Sequence, residues 1–294
     1  MKVRIIINPV SGGRNRVEEI AGAVKRLSCA VDGIFEIKVT KTKGGASEIS
    51  RDAVRRGYEV VFACGGDGTL NEAAGPLVGT ATALGIVPIG SGNGLAMALN
   101  IPNGVEAAIG LLKDYKIREI DAGVICGRYF FSTAGCGFDA HLSRAYNGGF
   151  VSSKMRGLLP YYPAALWEYL WYKAKSSTVK IGNYNEQFFP FLLTAANTGY
   201  FGGNALIAPD AVPDDGLVDI CIVPQPGFFK AVKLGARLMN GTIDGHEGFR
   251  TFRTDEVDIY REGPSMVHAD GEPFEWGGVI PIKVLRRQLK VLTP

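Results

Sequence analysis

The fold is indicated most clearly by residues 59–72, which read Glu-Val-Val-Phe-Ala-Cys-Gly-Gly-Asp-Gly-Thr-Leu-Asn-Glu. Residues 59–64 are an apolar run typical of a buried strand, and the glycines that follow end it. A helix is predicted to begin near Leu70. Such a loop leaves bare backbone N–H groups beside a helix N-terminus, which favours an anion such as phosphate. A plain glycine-rich turn with an aspartate is the alternative.

The same alternation extends to both sides of this stretch. Strands are predicted at 3–7, 34–40 and 84–89, and helices at 16–27 and 46–56. Strands that alternate with helices indicate βαβ units and a mostly parallel sheet. Because ligands of such sheets bind at the carboxyl ends of strands, we expect the glycine clusters found there to converge. The four clusters are Gly12-Gly13, Gly44-Gly45, Gly65-Gly66-x-Gly68 and Gly90-x-Gly92-x-Gly94.

The pattern changes after about residue 120 and becomes rich in strands separated by turns. We therefore predict a Rossmann-like α/β domain over residues 1–122 and a β-rich, sandwich-like domain over residues 123–294. Helices are expected in the second domain only near 163–174 and 227–239. Its predicted strands are 129–136, 178–181, 188–196, 217–223, 256–261 and 279–292.

Composition narrows the class of protein. Glycine supplies 39 of 294 residues, against a usual share of about 7%. The net charge of +3 is too small to indicate nucleic-acid binding. Five isolated cysteines without a CxxC pair indicate neither a zinc site nor a disulfide framework. No apolar stretch is long enough for a signal peptide core or a membrane span, so a cytoplasmic protein is expected.

Asp67 is the unusual residue of the glycine loop. An acid there would repel phosphate unless it binds Mg²⁺ or acts on the acceptor hydroxyl. The sequence has no GxxxxGK[ST] motif and no HRD/DFG set, which argues against a P-loop enzyme or a protein kinase. It has no G-x-G-x-x-G after the first strand, which argues against a Rossmann dehydrogenase.

GGDGTLNE together with Asn8-Pro9-x-Ser11-Gly12 resembles the diacylglycerol kinase catalytic-domain superfamily, which includes bacterial lipid kinases, sphingosine kinases and ceramide kinases. The resemblance covers nearly the whole chain, and the further motifs follow in family order. These are Thr40…Gly44-Gly45-Ala46, Gly90-Ser91-Gly92-Asn93, Gly135-x-Gly137-Phe138-Asp139, Pro213-Asp214-Asp215-Gly216 and Asp270-Gly271-Glu272.

This resemblance implies an α/β nucleotide-binding domain, a β-sandwich-like domain and an active site in the cleft between them. It implies ATP as phosphate donor and Mg²⁺ as the metal. The residues implied to bind the nucleotide or its phosphates are Asn8, Ser11, Gly12, Thr40, Gly65, Gly66, Asp67, Gly68, Thr69, Glu72, Gly90, Ser91, Gly92, Asn93, Arg156 and Asp270. For Arg156, a solvated surface charge is the alternative.

Glu272 matches the general base of the family, which takes the proton from the lipid hydroxyl, with Asp67 as its catalytic partner. An ordinary turn is the alternative for Asp-Gly-Glu. Asp215 and the backbone of Leu217 match a structural Mg²⁺ position, and Asp121 matches an acid of the same network. Here too an ordinary turn is the alternative at residues 213–216.

Two departures leave the acceptor open between diacylglycerol and a sphingoid or ceramide-like lipid. Gly94 stands where many bacterial diacylglycerol kinases carry an aspartate, and Arg14 stands where some carry a lysine. Two other functions are open. One is an NAD kinase, whose related fold also uses GGDGT; the other is a non-catalytic nucleotide- or lipid-binding regulator. NPxSG, the Asn-Glu after GGDGTL, GSGN and DGE favour the lipid branch.

The partners expected are a nucleotide and a lipid at the membrane surface. Residues 158–172 are rich in tryptophan and tyrosine, which suits either a lipid-facing helix or a core helix. Peripheral binding at the inner membrane face is consistent with the first interpretation. The sequence leaves the oligomeric state open, a homodimer included. His268, two residues before Asp270, is predicted to be structural.

Overall fold

A computed structural model of the chain describes residues 1–13, 16–147 and 161–294. They form two compact units, one made of Met1–Ala122 with Arg286–Pro294 and the other of Gly123–Leu285. The predicted domain limits place the C-terminal segment in the second domain, whereas in the structure Arg286–Pro294 belongs to the first unit.

Strands and helices alternate in the first unit. Short 3₁₀ turns follow α3 and α5, at Gly75–Leu77 and Leu111–Lys113. The elements are β1 (Lys2–Ile7), α1 (Arg16–Ser28), β2 (Ile34–Val39), α2 (Gly45–Arg55), β3 (Val60–Gly65), α3 (Asp67–Ala74), β4 (Ala83–Pro88), α4 (Gly94–Ala98), α5 (Val105–Gly110) and β5 (Lys116–Ile125).

The first four strands form a parallel sheet in the order β2-β1-β3-β4. Every residue of β3 and β4 is buried, as expected for parallel strands covered on both faces. Their carboxyl ends, Ile7, Val39, Gly65 and Pro88, therefore lie along one edge. The predicted α/β fold with a mostly parallel sheet is confirmed. Helix α3 begins at Asp67, before the predicted start at Leu70, so Asp67 lies in its first turn.

The second unit is mostly antiparallel β-structure. A short 3₁₀ turn lies at Ile243–Gly245. The elements are β6 (Arg128–Phe130), β7 (Thr133–Gly135), α6 (Phe138–Asn147), α7 (Tyr161–Trp171), β8 (Ser177–Ile181), β9 (Tyr184–Phe188), β10 (Pro190–Ala196), β11 (Tyr200–Gly202), β12 (Ala205–Leu206), β13 (Val218–Pro224), α8 (Phe228–Met239), β14 (Arg250–Thr254), β15 (Glu256–Arg261), β16 (Ser265–Ala269), β17 (Glu272–Trp276) and β18 (Val279–Thr293).

Two layers of strands share one apolar core in this unit. One sheet has the antiparallel order β14-β13-β10-β7-β16-β17, and the other layer contains β18, β15, β8 and β9. Val218, Ile220 and Ile222 of β13 pack with Val257 and Ile259 of β15 in that core. The expected β-rich, sandwich-like domain is confirmed.

The other face of the six-stranded sheet is covered by helices. Cys221 and Val223 of β13 alternate with the residues of the first core and pack in a second cluster with Phe138 of α6 and Leu234 of α8. Alternation along a strand places successive side chains on opposite faces, so β13 supplies both cores. Across the described residues, no helix is both long enough and apolar enough to span a membrane.

Candidate active site

The predicted glycine loops converge at the carboxyl edge of the parallel sheet. The Asn8 side-chain amide donates a hydrogen bond to Thr69 Oγ1 at 2.8 Å, which joins the loop after β1 to the loop after β3. The Gly44 N–H donates to Glu72 Oε1 at 2.9 Å, which joins the loop after β2 to helix α3. Asn8, Thr69 and Glu72 thus hold three loops together before any ligand is considered.

Close backbone contacts explain why glycine is needed in these loops. A Cβ added to Gly90 would overlap the Cα of Gly66. Gly12 has a positive φ of 74°, and a Cβ there would lie 2.9 Å from the Ile89 carbonyl oxygen. Only glycine fits such an approach without displacement. The loops after β1, β3 and β4 therefore meet through their backbones.

Helix α3 begins directly behind the Gly65-Gly66 pair. Its N-cap residue, Gly66, has extended backbone and no side chain to cap the first amides of the helix. Uncapped amides at a helix N-terminus, together with the helix dipole, suit an anionic group. Ser11 and Thr40 lie in the loops on either side, where the Ser11 N–H donates to the Asn8 carbonyl and the Thr40 N–H to the Ile7 carbonyl.

Asp67 links the two glycine loops that follow β3 and β4. Its Oδ2 accepts the Asn93 N–H at 2.9 Å, and its Oδ1 accepts the Gly94 N–H at 3.0 Å. Burial raises the pKa of this carboxyl, while the two backbone hydrogen bonds act in the opposite direction. Asn93 has a positive φ of 57° and its side chain also bonds the Gly90 backbone. Asp67 therefore orients the GSGN segment.

Replacing Gly90 with alanine is expected to weaken binding of the nucleotide that the resemblance implies by about tenfold or more, because overpacking of this kind costs about 1–3 kcal/mol and separates the two loops. Gly110→Ala is the matched control, since a Cβ there meets nothing within 4 Å. Titration of each variant with a non-hydrolysable ATP analogue measures the effect. Wild-type affinity in Gly90→Ala would contradict the loop arrangement.

In the second unit, Asp270 and Gly271 form the two-residue turn between β16 and β17. Both have positive φ, 46° and 80° respectively, as a tight hairpin turn requires. Glu272, the first residue of β17, pairs with Ala269 across the hairpin and is partly exposed. Asp-Gly-Glu therefore forms the predicted turn, and the same turn can present the Glu272 carboxylate at its end.

The Asp270 carboxylate anchors this turn to the loop before β7. Its Oδ2 accepts the Phe131 N–H at 2.9 Å, and its Oδ1 accepts the Ser132 and Thr133 N–H groups at 2.8 and 3.0 Å. The Asp270 N–H also donates to the Thr133 carbonyl. The resemblance implies a nucleotide contact for Asp270, which stays a prediction; in the structure its carboxylate accepts the backbone N–H groups of residues 131–133.

A buried pair, His268 and Asp139, supports the same turn. His268 Nε2 lies 3.1 Å from Asp139 Oδ2, and His268 Nδ1 accepts the Gly271 N–H at 3.3 Å. Asp139 also accepts the Thr194 hydroxyl and the Gly137 and Ala140 N–H groups. Although burial acts to raise it, the pKa of Asp139 is lowered overall by His268 and these hydrogen bonds. The predicted structural role of His268 agrees with this geometry.

The residues proposed for a structural Mg²⁺ have other partners. Asp215 accepts the Leu217 N–H at 2.9 Å and forms an ion pair with Arg253. Asp121 is fully buried and accepts the Arg287 N–H at 2.7 Å. Within the ranges that the structure describes, no group of three or more His, Cys, Asp or Glu residues could hold a metal ion. A site made of one carboxylate with backbone carbonyls and water, as the resemblance implies for Asp215, is of a different kind and stays a prediction.

Two predicted basic contacts, Arg14 and Arg156, lie outside the described residues. The sequence does not predict the anchoring roles of Asp270 and Asp139, although both stand in motifs that carry the family resemblance. Apart from the Gly137 and Ala140 N–H groups that Asp139 accepts, their partners lie 55 to 139 residues away along the chain, so no local pattern could have indicated those contacts.

Comparison with known proteins agrees with this arrangement in two parts. Residues 2–125 match the family model for the diacylglycerol kinase catalytic domain. Residues 132–293 match the model for the YegS C-terminal NAD kinase beta sandwich-like domain. The predicted superfamily is thus confirmed over both units.

Individual relatives match along nearly their whole length. The "Diacylglycerol kinase" of Bacillus subtilis is 27% identical, with 100% of this chain and 96% of the relative covered. The "Probable lipid kinase YegS-like" of Pseudomonas aeruginosa is 30% identical, with 93% and 88% covered. A crystal structure of a diacylglycerol kinase from Bacillus anthracis has a TM-score of 0.75 at 18% identity, covers 100% of this chain and 97% of its own, and shows the common fold.

These matches place the protein among the lipid kinases, which are phosphotransferases that use ATP. The chain belongs to the family in which a diacylglycerol kinase catalytic domain is followed by a YegS-type β-sandwich domain. The NAD kinase reading is less well supported than the lipid kinase reading.

Proposed function

We propose that the protein transfers the γ-phosphate of ATP to the hydroxyl of a membrane lipid, with diacylglycerol as the first acceptor to test. The observation that carries the proposal is the convergence of the four glycine loops at one edge of the sheet, held by Asn8, Asp67 and Glu72. Full-length similarity to proteins named diacylglycerol kinase supports the choice of acceptor.

In this proposal the first unit binds the nucleotide. The backbone of Gly66, Gly68 and Thr69 at the start of α3 receives the phosphates, since bare amides and the helix dipole both favour them. Ser11, Gly12, Thr40 and residues 90–93 surround the same edge. Mg²⁺ enters as part of the Mg–ATP substrate, where it neutralises charge on the transferred group.

Glu272 is the proposed general base. Its carboxylate takes the proton from the lipid hydroxyl as that oxygen attacks the γ-phosphorus and the bond to ADP breaks. The anchoring of the neighbouring Asp270 and Gly271 by backbone amides and by His268 restricts the position of Glu272. A base fixed in position accelerates the reaction more than a mobile one, because the entropic cost of orienting it is met when the protein folds.

An apolar face on the second unit supports action at a lipid surface. Trp171 is 70% exposed and Phe229 is 82% exposed. Their helices meet where the Tyr169 hydroxyl donates to the Pro226 carbonyl and its ring contacts Phe228. The exposed apolar residues of this membrane face are Trp167, Leu170, Trp171, Phe228, Phe229 and Val232.

Charge complements this face. Lys233 on α8 is exposed beside its aromatic residues, which suits an anionic bilayer; Lys230, also exposed, is paired with Glu247 at 2.7 Å. We propose that a cytoplasmic protein binds the inner membrane face through this surface. The other side of α7 is core, since Tyr169 and Tyr172 pack on Phe191. In this proposal the core interpretation applies to the side of Tyr169 and the lipid-facing interpretation to the side of Trp167 and Trp171; residues 158–160 lie outside the described part.

Changing both Trp171 and Phe229 to serine is expected to lower partitioning into vesicles of phosphatidylcholine and phosphatidylglycerol by about tenfold or more, from the apolar area removed. Activity on a lipid dissolved in short-chain micelles should change far less. Ile34→Ser, at an exposed apolar residue of β2, is the control. Sedimentation with vesicles measures binding, and equal binding by all three proteins would contradict the proposed face.

The acceptor is tested with Mg–ATP and a panel of diacylglycerol, sphingosine, ceramide and NAD, read by product mass. We expect a lipid phosphate, and phosphorylated diacylglycerol first. Phosphorylation of NAD alone would support the NAD kinase reading. Tight ATP binding without turnover on any acceptor would support a non-catalytic regulator and contradict the proposal.

A further inference from the structure

The second unit contains a pocket of about 210 Å³ that none of the roles above uses. Its walls come from the loop after β7, from α6, from the segment after α7 and from strands β15, β16 and β17. Met266 and Glu275 in its wall pair at the far end of the β16–β17 hairpin from Glu272. At about 3.3 Å per residue, Glu275 lies about 10 Å along β17 from that carboxylate.

Arg261 at the end of β15 is the central charged group of the pocket. It is only 8% exposed. Its Nε donates to Ser177 Oγ at 2.8 Å, and its Nη1 donates to the Cys136 carbonyl. Within the described ranges, its Nη2 is buried and has no hydrogen-bond partner. A guanidinium stays charged at any physiological pH, so a buried Nη2 group of this kind favours a ligand that supplies a hydrogen-bond acceptor.

A second buried donor lines the same pocket. Ser265 is 2% exposed, and its hydroxyl also has no partner among the residues that the structure describes. Tyr172 adds a second hydroxyl to the lining; burial raises its pKa to about 12, while the charge of Arg261 and a hydrogen bond between the two side chains act in the opposite direction. A phenol with such a pKa remains protonated and can donate. Two unsatisfied polar atoms at one cavity are unusual in a folded protein.

The rim of the pocket is mainly positive. Arg144, Lys173 and Lys175 are exposed at its edge, against one lining carboxylate, Glu275. His141, which also lines the pocket, is already bonded to Glu168 at 2.6 Å. Basic side chains around buried N–H and O–H donors favour an anion over a neutral ligand.

The volume limits what can enter. The pocket has a volume of about 210 Å³. This is below the range of about 300–1,000 Å³ that is usual for drug-sized ligands. A single tetrahedral oxyanion group fits such a space, whereas the acyl chains of a lipid would have to remain outside it.

We propose that this pocket binds a phosphate-type oxyanion, supplied by the phosphomonoester head of an anionic lipid or by free phosphate. Arg261 would donate its unpaired Nη2, Ser265 its hydroxyl, and the rim lysines would supply long-range attraction. The site uses no residue of the nucleotide loops, so its occupancy is independent of the proposed function.

Calorimetric titration of the full chain with inorganic phosphate, with and without saturating non-hydrolysable Mg–ATP analogue, tests the site. We expect saturable binding that persists when the analogue fills the nucleotide site. Arg261→Met should weaken it by about tenfold or more, as loss of a charged hydrogen bond does. Lys173→Glu with Lys175→Glu changes only exposed residues and should weaken it similarly; Lys180→Glu with Lys283→Glu is the charge-matched control.

Vesicle binding distinguishes the two sources of the anion, a lipid phosphomonoester head and free phosphate. Vesicles of phosphatidylcholine with phosphatidic acid are compared with vesicles in which phosphatidylserine gives the same surface charge. A preference for phosphatidic acid that the Lys173/Lys175 variant loses identifies a lipid head; phosphate binding without that preference identifies the free anion. Absent phosphate binding, or equal weakening by the control pair, would overturn the site, and the surface pair decides if Arg261→Met does not fold.

Discussion

Glu272→Gln is expected to lower the rate of lipid phosphorylation by about 100-fold or more, the usual contribution of a general base. Glutamine keeps the size of the side chain but cannot take the proton from the attacking hydroxyl. The turn before it should be unchanged, because its anchors are the Asp270 carboxylate and His268. ATP affinity should therefore stay close to that of the wild type.

The measurement is the initial rate with Mg–ATP and a saturating lipid acceptor, beside the melting temperature of each protein. Glu262→Gln is the matched control, since Glu262 is an exposed acid close by in the chain. A rate within about twofold of the wild type would remove Glu272 from the chemistry. A fall in melting temperature alone would instead indicate a structural role.

Asp67→Asn is expected to lower the rate by about tenfold to 100-fold, through a different cause. The carboxylate accepts one N–H on each oxygen. Asparagine places an NH₂ donor against one of those N–H groups, which leaves a buried donor unsatisfied at a cost of about 1–3 kcal/mol. The segment from Gly90 to Asn93 should shift, so both ATP affinity and kcat should fall.

A protein of this size has a stability of about 5–15 kcal/mol, so the Asp67→Asn variant should remain folded. Asp114→Asn, at an exposed aspartate of the same unit, is the control. Asp67→Glu keeps the charge and displaces its position; equal loss in Asp67→Glu and Asp67→Asn would indicate that geometry is what matters. Wild-type ATP affinity and rate in Asp67→Asn would contradict the role of Asp67.

Two central strands of the first unit, β3 and β4, were predictable because they are short continuous apolar runs, whereas β5 (Lys116–Ile125), which contains charged residues, was not predicted. Val60–Gly65 and Ala83–Pro88 are buried at every residue, and glycines stand at the end of the first (Gly65-Gly66) and two residues after the second (Gly90). The convergence of the loops followed from parallel order alone. The start of α3 at Asp67 was harder to predict. Gly68 and Thr69 are poor helix formers, and their place in the helix depends on the packing of neighbouring loops.

The second unit was harder to read from sequence. Arg250–Thr254 forms β14 although it is polar and largely exposed, so neither alternation nor an apolar run indicates it. Phe138–Asn147 is a helix where turns were expected. Ser265–Ala269 and Glu272–Trp276 are short strands on either side of the Asp270-Gly271 turn. The contacts of Asp270 and Asp139 depend on which strands become neighbours, and this is a property of the whole sheet.

The central claim is that this chain moves the γ-phosphate of ATP to a lipid hydroxyl. Its most direct test is transfer of radiolabel from γ-labelled ATP to a short-chain diacylglycerol in mixed micelles by the purified full chain, with Glu272→Gln run in parallel. The account predicts a labelled lipid phosphate from the wild type and almost none from the variant. Label on NAD but on no lipid, or ATP binding without labelled product from any lipid acceptor, would contradict it.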